Sequence, residues 1–331
     1  MGLAAAEQLI ESSLERRAED DLGRASDLAS RLEEGIRSVI IGQDETVSAV
    51  VVALLAGGHV LLEGAPGLGK TALVRTLSTL VGGCFSRIQF TPDLMPSDVV
   101  GTSLVIEAKG GGKDLQYREG PIFANLVLAD EINRATPKTQ SALLEAMGEG
   151  TVTVEGRPRL LPSPFFVLAT ENPIEMEGVF PLPEAQLDRF LLKLLLGMPD
   201  LATLTVIGSR PREPAPPEAV TSPRELAEVQ EICRTVPAAA HVERYAARVV
   251  LATHEPPEIR YGAGPRAVQA LMACGRVRAA MAGRPAVAVE DLQAVALDVL
   301  RHRVVLGFEA EAKGLSAYEL VHRVLDGTPV E

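Results

Sequence analysis

The chain has 331 residues, 47% of them hydrophobic and 23% charged, a balance typical of a globular protein with about two domains and not of a disordered chain. Its 32 lysines and arginines stand against 44 aspartates and glutamates, and the resulting formal charge of −12 disfavours nucleic acid and anionic lipid as partners. Three widely spaced cysteines, a charged beginning and the absence of an apolar run of about 20 residues predict a cytoplasmic protein with no membrane insertion.

Taken in chain order, the sequence predicts an N-terminal helical segment, an α/β core and a second, helical domain. Residues 1–27 are predicted to form an amphipathic helix, and residues 28–208 alternate apolar helices with short strands that lack polar alternation. Strands that are apolar on both faces and separated by helices indicate a parallel sheet covered on both sides. Prolines mark residues 209–221 as a linker, and residues 222–331 are predicted to be all-α.

The segment GAPGLGKT follows a predicted strand, opens a predicted helix and matches the pattern of a phosphate-binding loop. Its glycines allow the backbone N–H groups to turn toward a phosphate, and the helix N-terminus adds a positive dipole end. Lys70 is expected to reach the β- and γ-phosphates of ATP, and the Thr71 hydroxyl to help hold Mg²⁺. The predicted loop residues are Gly64, Ala65, Pro66, Gly67, Leu68, Gly69, Lys70 and Thr71.

Polar residues end two further predicted strands, Asp130 and Glu131 in LVLADE and Asn172 in VLATENP. Ligands of doubly wound sheets bind beyond the carboxyl ends of the strands. Asp130 is therefore predicted to hold Mg²⁺, mostly through water, and Glu131 to polarise the attacking water. Asn172 is predicted to orient that water. The alternative for Asp130 and Glu131 is an acidic pair that is merely exposed to solvent, and the alternative for Asn172 is an ordinary Asn-Pro turn.

These motifs, together with QSALLEAM, FTPDLMPSDVVGT, YGAGPRA and PEAQLDRFLLKL, resemble the MoxR family of AAA+ ATPases. The resemblance implies a P-loop NTPase (AAA+) parallel-sheet core followed by an all-α lid domain. It also implies two insertions into the core. One interrupts the second helix of the family's core and lies within residues 90–121, and the other is a hairpin within residues 151–164, ahead of the strand that ends in the family's first sensor residue. Such proteins assemble as homo-oligomers, commonly as hexameric rings.

The resemblance also assigns roles to residues outside the phosphate loop. Arg189, in LDRF, is implied to be an arginine finger that reaches the nucleotide of a neighbouring subunit, an effect that can be worth about 10³–10⁵ in rate. An internal salt bridge is the alternative for Arg189. Arg266, in GAGPRA, is implied to be a second sensor that meets the γ-phosphate. The stretch VIIGQDETV is similar to the segment that covers adenine, so Ile41, Gly42 and Gln43 are candidates for that pocket.

The implied function is a MoxR-type ATPase whose hydrolysis of ATP drives chaperone-like remodelling, or metal or cofactor insertion, in a partner protein. A protein with a von Willebrand factor A domain is the partner that the resemblance implies. Two alternatives stay open: a magnesium-chelatase-like motor subunit, and a nucleotide-gated scaffold with little hydrolysis. The acidic composition disfavours a nucleic-acid motor.

Overall fold

The computed structural model describes residues 3–107, 113–173, 178–210 and 216–330, with the side chains of residues 3–15 and of Glu311 outside the described part. In chain order the helices are α1 (Leu3–Arg37), α2 (Asp44–Leu55), α3 (Lys70–Val81), α4 (Pro96–Val100), α5 (Pro137–Glu149), α6 (Glu184–Leu187), α7 (Leu201–Ser209), α8 (Pro223–Thr235), α9 (Ala240–Ala252), α10 (Pro265–Met281), α11 (Val289–Leu300), α12 (Phe308–Lys313) and α13 (Ala317–Gly327). The strands are β1 (Val60–Gly64), β2 (Phe85–Gln89), β3 (Gly101–Glu107), β4 (Lys113–Glu119), β5 (Leu126–Asp130), β6 (Thr151–Val154), β7 (Arg157–Leu160), β8 (Phe166–Glu171), β9 (Leu192–Leu196), β10 (Ile259–Tyr261) and β11 (Val305–Leu306).

The chain forms two compact units. We call the first, Gly35–Val47 with Gly57–Arg224, the sheet unit. The second, Met1–Glu34 with Ser48–Ala56 and Glu225–Glu331, is the helical unit.

A five-stranded sheet in the order β2-β5-β8-β1-β9, with parallel pairing throughout, forms the centre of the sheet unit. The three inner strands are almost entirely buried, as their aliphatic sequences predict, because helices cover both faces. Parallel pairing brings the carboxyl ends of these strands to one edge. Glu63 is paired with Glu171, and Gln89 with Asp130, so the residues that follow β1, β5 and β8 emerge side by side.

Helix α3 is held against the sheet by its buried aliphatic face, which includes Leu73, Leu77 and Leu80. Burial of each such side chain stabilises the fold by about 1.5–3 kcal/mol. The helix ends at Gly82, a left-handed residue whose N–H donates to the Thr79 carbonyl. Packing of this face therefore fixes the first turn of α3 at the same sheet edge as the strand ends.

Both predicted inserts are present in the sheet unit. The first is the antiparallel hairpin β3–β4 after α4, and the second is the hairpin β6–β7, which turns at Glu155 and Gly156. The Arg159 guanidinium of β7 lies over the Tyr117 ring of β4, 3.6 Å from its centroid. A cation–π contact of this kind joins the two hairpins.

A buried histidine precedes β1. His59 Nδ1 accepts a hydrogen bond from the Val167 N–H at 3.0 Å, and Nε2 lies 3.1 Å from the Met147 carbonyl, so Nε2 carries the proton. Burial lowers the pKa of His59 to about 4, because the charged form would lose its hydration. The histidine thus connects the start of β1 to β8 and α5 in its neutral form.

In the helical unit, helices α8 to α13 are joined by the N-terminal helix. The predicted N-terminal segment is part of helix α1, and Met1–Glu34 groups with the C-terminal helices. The reason is side-chain packing: Leu28 is fully buried, and the Ser26 hydroxyl donates to the Met281 carbonyl at 2.8 Å. This unit also contains a short antiparallel ribbon, β10–β11, which the sequence did not indicate.

The predicted linker lies only partly within the described residues, since 211–215 are outside them. Its end is anchored in the sheet unit, because the N–H groups of Val220 and Thr221 donate to the Leu80 carbonyl at 2.8 and 3.1 Å. The limits 1–27, 28–208, 209–221 and 222–331 stay predictions. Within the described part of the chain, no helix combines the length and apolarity that crossing a membrane requires.

Candidate active site

The phosphate loop connects the end of β1 to the start of α3. Gly69 precedes the helix with φ of 82°, a left-handed conformation that a residue with a side chain rarely adopts. The N-cap position of α3 is occupied by Gly69, which offers no side-chain acceptor to the first-turn N–H groups. An uncapped helix N-terminus under a glycine-rich loop attracts anions.

Lys70, the first residue of α3, folds back over the loop. Its Nζ donates to the Gly64 carbonyl at 2.7 Å and lies 3.5 Å from the Glu171 carbonyl. Partial burial lowers the pKa of Lys70, and the charges of Asp130 and Glu131 oppose that shift. The ammonium group therefore lies among carbonyl oxygens close to both predicted acids.

Asp130 ends β5 with both carboxylate oxygens engaged, and it is nine-tenths buried. The Thr170 hydroxyl donates to Oδ1 at 2.7 Å, and Arg87 donates to Oδ2 from Nη2 at 2.7 Å and from Nε at 3.2 Å. The Thr170 hydroxyl also accepts the Glu131 N–H at 2.9 Å, so one side chain of β8 positions both acids. The sequence analysis missed Arg87 and Thr170. The pairing of β5 with β8 does place Thr170 beside Asp130, since Ala129 pairs with Ala169, so a correct strand alignment would have indicated Thr170.

Glu131 takes a left-handed backbone conformation, with φ of 57° and ψ of 51°. This conformation costs a residue other than glycine about 1–2 kcal/mol, and it turns the chain out of β5 into a short 3₁₀ helix, Ile132–Arg134. Glu131 Oε2 accepts from Gln89 Nε2 at 2.8 Å and from Arg134 Nη1 at 3.2 Å. Glu131 Oε1 makes no hydrogen bond within the described residues.

These groups surround one cavity of about 390 Å³. Asn172, at the end of β8, is 4% exposed and lines it beside the acids. Of the predicted catalytic, metal-binding and phosphate-loop residues, the cavity brings together Pro66, Gly67, Gly69, Lys70, Thr71, Asp130, Glu131 and Asn172, and it adds Ala72 and Arg87.

A second, mostly apolar cavity of about 320 Å³ lies on the other side of the phosphate loop. Of the three predicted adenine-pocket residues, Ile41 and Gln43 line it, and Gln43 Nε2 donates to the Leu68 carbonyl at 3.3 Å. Gly42 lies between them, against the Thr203 side chain of α7. The sequence analysis missed the contribution of α7 to this cavity, although the apolar run in residues 201–207 was a signal. The two cavities share Gly67, Gly69 and Ala72.

Arg189 does not line either cavity. It is exposed, follows α6 and donates from Nη1 to the Leu144 carbonyl at 2.8 Å. A Cβ added to Gly148 would come within 2.3 Å of Arg189 Nη1, so the glycine provides the room for this guanidinium. The described residues offer Arg189 no ion pair, which leaves the internal salt bridge without a partner in that part of the chain.

Arg266 belongs to the helical unit. It is the second residue of α10, and its side chain is exposed. Pro265 occupies the first position of that helix and Gly264 precedes it in an extended conformation, as the motif predicts.

A five-stranded parallel sheet with a phosphate loop after β1 and acids at the end of β5, which β8 separates from β1, is the architecture of an AAA+ ATPase. Residues 59–192 match the model of the ATPase family associated with various cellular activities (AAA), and residues 251–324 match that of the AAA lid domain. The chain is 44% identical over 301 residues to Chaperone MoxR1 of Mycobacterium tuberculosis, covering 88% of this chain and 79% of that protein. The chain belongs to the MoxR family of AAA+ ATPases.

Two further comparisons agree with this assignment. The chain is 44% identical over 308 residues to the uncharacterized protein YeaC of Bacillus subtilis, which covers 92% of this chain and 95% of that protein. A crystal structure of a candidate ATPase from Cytophaga hutchinsonii superposes with a TM-score of 0.87 at 36% identity, covering 95% of this chain and 98% of the other. The predicted family and fold class are thereby confirmed.

Proposed function

We propose that this protein hydrolyses ATP to ADP and phosphate within a homo-oligomeric ring, as a MoxR-type ATPase. One observation carries the proposal: the side chains that binding and hydrolysis require line a single cavity at the N-terminus of α3. They are Lys70, Thr71, Asp130, Glu131 and Asn172.

The loop supports binding of the phosphates of ATP. The N–H groups of the first turn of α3 offer donors, and Lys70 adds a positive charge close to them. The neighbouring apolar cavity, lined by Ile41 and Gln43, is suited to the adenine base, because its walls are largely aliphatic and continuous with the loop.

The residues present also fit Mg²⁺. The Thr71 hydroxyl and the Asp130 carboxylate share the cavity, and Mg²⁺ is usually held by one or two carboxylates together with substrate phosphates and water. Thr71 and Asp130 would hold the ion, which when bound neutralises phosphate charge. The described residues contain no cluster of three or more histidine, cysteine, aspartate or glutamate side chains that could hold a metal ion by themselves.

Glu131 is proposed as the base that receives a proton from the attacking water. Its Oε2 is held by Gln89 and Arg134, which leaves Oε1 to accept from water. Asn172, buried at the next strand end, would orient the same water through its amide.

Hydrolysis distinguishes this proposal from a nucleotide-gated scaffold. Single-turnover hydrolysis by wild type should exceed that of Glu131→Gln by about 10²–10⁴-fold, since the base is lost while the shape and most hydrogen bonds remain. Equal rates in the two proteins would favour the scaffold.

The ring is proposed because Arg189 is exposed and outside the cavity of its own chain. We propose that it reaches the terminal phosphate bound by a neighbouring subunit, commonly one of six, and stabilises the charge that develops there. Arg266 is proposed as a second cation for that phosphate.

Mixing two inactive variants tests the ring. Arg189→Ala and Glu131→Gln should each bind ATP and hydrolyse it poorly, but a mixture should regain activity because some interfaces then carry both intact residues. No recovery at ring-forming concentrations would count against an arginine acting between subunits.

The proposed work of the motor is chaperone-like remodelling, or metal or cofactor insertion, in a partner with a von Willebrand factor A domain. Two observations support a protein client: the relative MoxR1 is named a chaperone, and the β3–β4 hairpin exposes apolar side chains. Val105 and Leu115, paired across that hairpin, are 63% and 67% exposed. The charge of −12 supports a partner other than nucleic acid and is compatible with the cytoplasm.

Capture of the partner tests this part of the proposal. Glu131→Gln with ATP should retain a client that Lys70→Ala does not, because only the former binds nucleotide without consuming it. Recovery of an A-domain protein is the expected outcome. Recovery of a porphyrin-pathway subunit would favour the chelatase-like motor instead.

A further inference from the structure

Arg87 is a second cation in the phosphate cavity, and the functions assigned above do not use it. It lies on β2, which two strands separate from β1 and its phosphate loop, yet it lines the same cavity as Lys70 and Thr71. Its side chain is 48% exposed, whereas that of its partner Asp130 is 12% exposed. The guanidinium is therefore open to a ligand on one side while it is bound to a buried carboxylate on the other.

The guanidinium is held by one edge only. Nε and Nη2 donate to Asp130 Oδ2, and Nη2 also donates to Gln89 Oε1 at 2.8 Å. Nη1 makes no hydrogen bond within the described part of the chain. A planar guanidinium fixed in this way is pre-organised to present its remaining N–H groups to an anion.

The position of Arg87 relative to the two cavities indicates which anion it would bind. The apolar cavity and the phosphate cavity meet at Gly67, Gly69 and Ala72, whereas Arg87 and Asp130 line the phosphate cavity alone. A nucleotide with its base in the apolar cavity and its first phosphates at the loop would direct its last phosphate toward Arg87. A diphosphate would end nearer the loop.

We infer that Arg87 binds the terminal phosphate of ATP from within the same chain and that it makes the site prefer ATP over ADP. The inference rests on the proposed function. Asp130 positions the guanidinium, and Gln89 prevents it from rotating away, because its carbonyl oxygen accepts from Arg87 while its amide nitrogen donates to Glu131. The terminal phosphate thus meets an arginine of its own subunit as well as Lys70.

Equilibrium binding of two nucleotides tests the inference without relying on turnover. The affinities of a non-hydrolysable ATP analogue and of ADP, both with Mg²⁺, are measured by calorimetry for wild type, Arg87→Ala, Arg87→Lys and Arg75→Ala. Arg75 is an exposed arginine of α3 and serves as the matched control for loss of charge. Arg87→Ala should weaken the analogue by about 10- to 100-fold and ADP by less than about twofold, because a charge-assisted hydrogen bond is lost only with the triphosphate.

The other variants sharpen the result. Arg87→Lys should fall between wild type and Arg87→Ala, since lysine keeps the charge without the planar fork, and Arg75→Ala should match wild type with both nucleotides. Where Arg87→Ala does not fold, as judged by circular dichroism, Arg87→Gln replaces it, because glutamine can still donate to Asp130. Equal losses for the two nucleotides would show that Arg87 only steadies Asp130, and no loss for either would also overturn the inference. Wild type that binds neither nucleotide would refute the proposed function itself, and this inference with it.

Discussion

Replacing Thr170 by valine separates the polar role of this residue from its packing. Thr170 is fully buried in β8, where a β-branched apolar residue fits well by shape and by strand propensity. Its hydroxyl, however, donates to Asp130 Oδ1 at 2.7 Å and accepts the Glu131 N–H at 2.9 Å. Valine leaves Asp130 Oδ1 without its donor, at about 1.5–3 kcal/mol, and the Glu131 N–H without an acceptor, at about 1–3 kcal/mol, while Arg87 still donates to Oδ2. A buried methyl group offsets about 0.8 kcal/mol of this loss.

The net expectation for Thr170→Val is a loss of roughly 2–5 kcal/mol in the free energy of unfolding. Thr170→Ser is the matched control, because it keeps the hydroxyl and loses only a methyl group, at about 1 kcal/mol. For a unit of this size, 1 kcal/mol corresponds to about 2–4 °C in Tm. The chain has no tryptophan, so melting is best followed by far-UV circular dichroism. A valine variant as stable as the serine variant, or more stable, would refute the assignment of both hydrogen bonds.

Three further predictions concern the same unit. Lys70→Ala should abolish ATP binding, because the phosphates lose their nearest cation; an affinity within about twofold of wild type in a calorimetric titration would contradict this. Gly148→Ala should leave the Tm unchanged or raise it, because alanine favours a helix over glycine by up to about 1 kcal/mol. The same change should slow steady-state ATP hydrolysis, since the new Cβ would come within 2.3 Å of Arg189 Nη1 and displace the guanidinium. Unchanged hydrolysis would count against the placement of that guanidinium. Burial holds the pKa of His59 at about 4, against 6.5 in the unfolded chain, so the protein is fully stable with respect to this group above pH 6.5 and loses roughly 3 kcal/mol of its free energy of unfolding as the pH falls toward 4. Urea titrations across this range should show a flatter pH dependence for His59→Gln than for wild type. Parallel curves for the two proteins would argue against a neutral His59.

Features that depend on neighbours along the chain could be predicted from the sequence. The phosphate loop is one of them, because its glycines, Lys70 and Thr71 are contiguous and act through the backbone between one strand and one helix. The apolar strands β5 and β8 are another, because burial on both faces requires aliphatic residues at successive positions. The family and the fold class followed from these motifs, and both are confirmed. The catalytic, sensor and arginine-finger roles remain predictions.

The tertiary structure alone decided which side chains surround the acids. Arg87 and Thr170 meet Asp130 from positions 43 and 40 residues away, and the parallel order β2-β5-β8 makes these contacts. Helix α7 likewise lines the apolar cavity from far along the chain. Strand order and register are set by the packing of the whole sheet and not by local propensity, so residues that meet only across strands leave little trace in a single sequence.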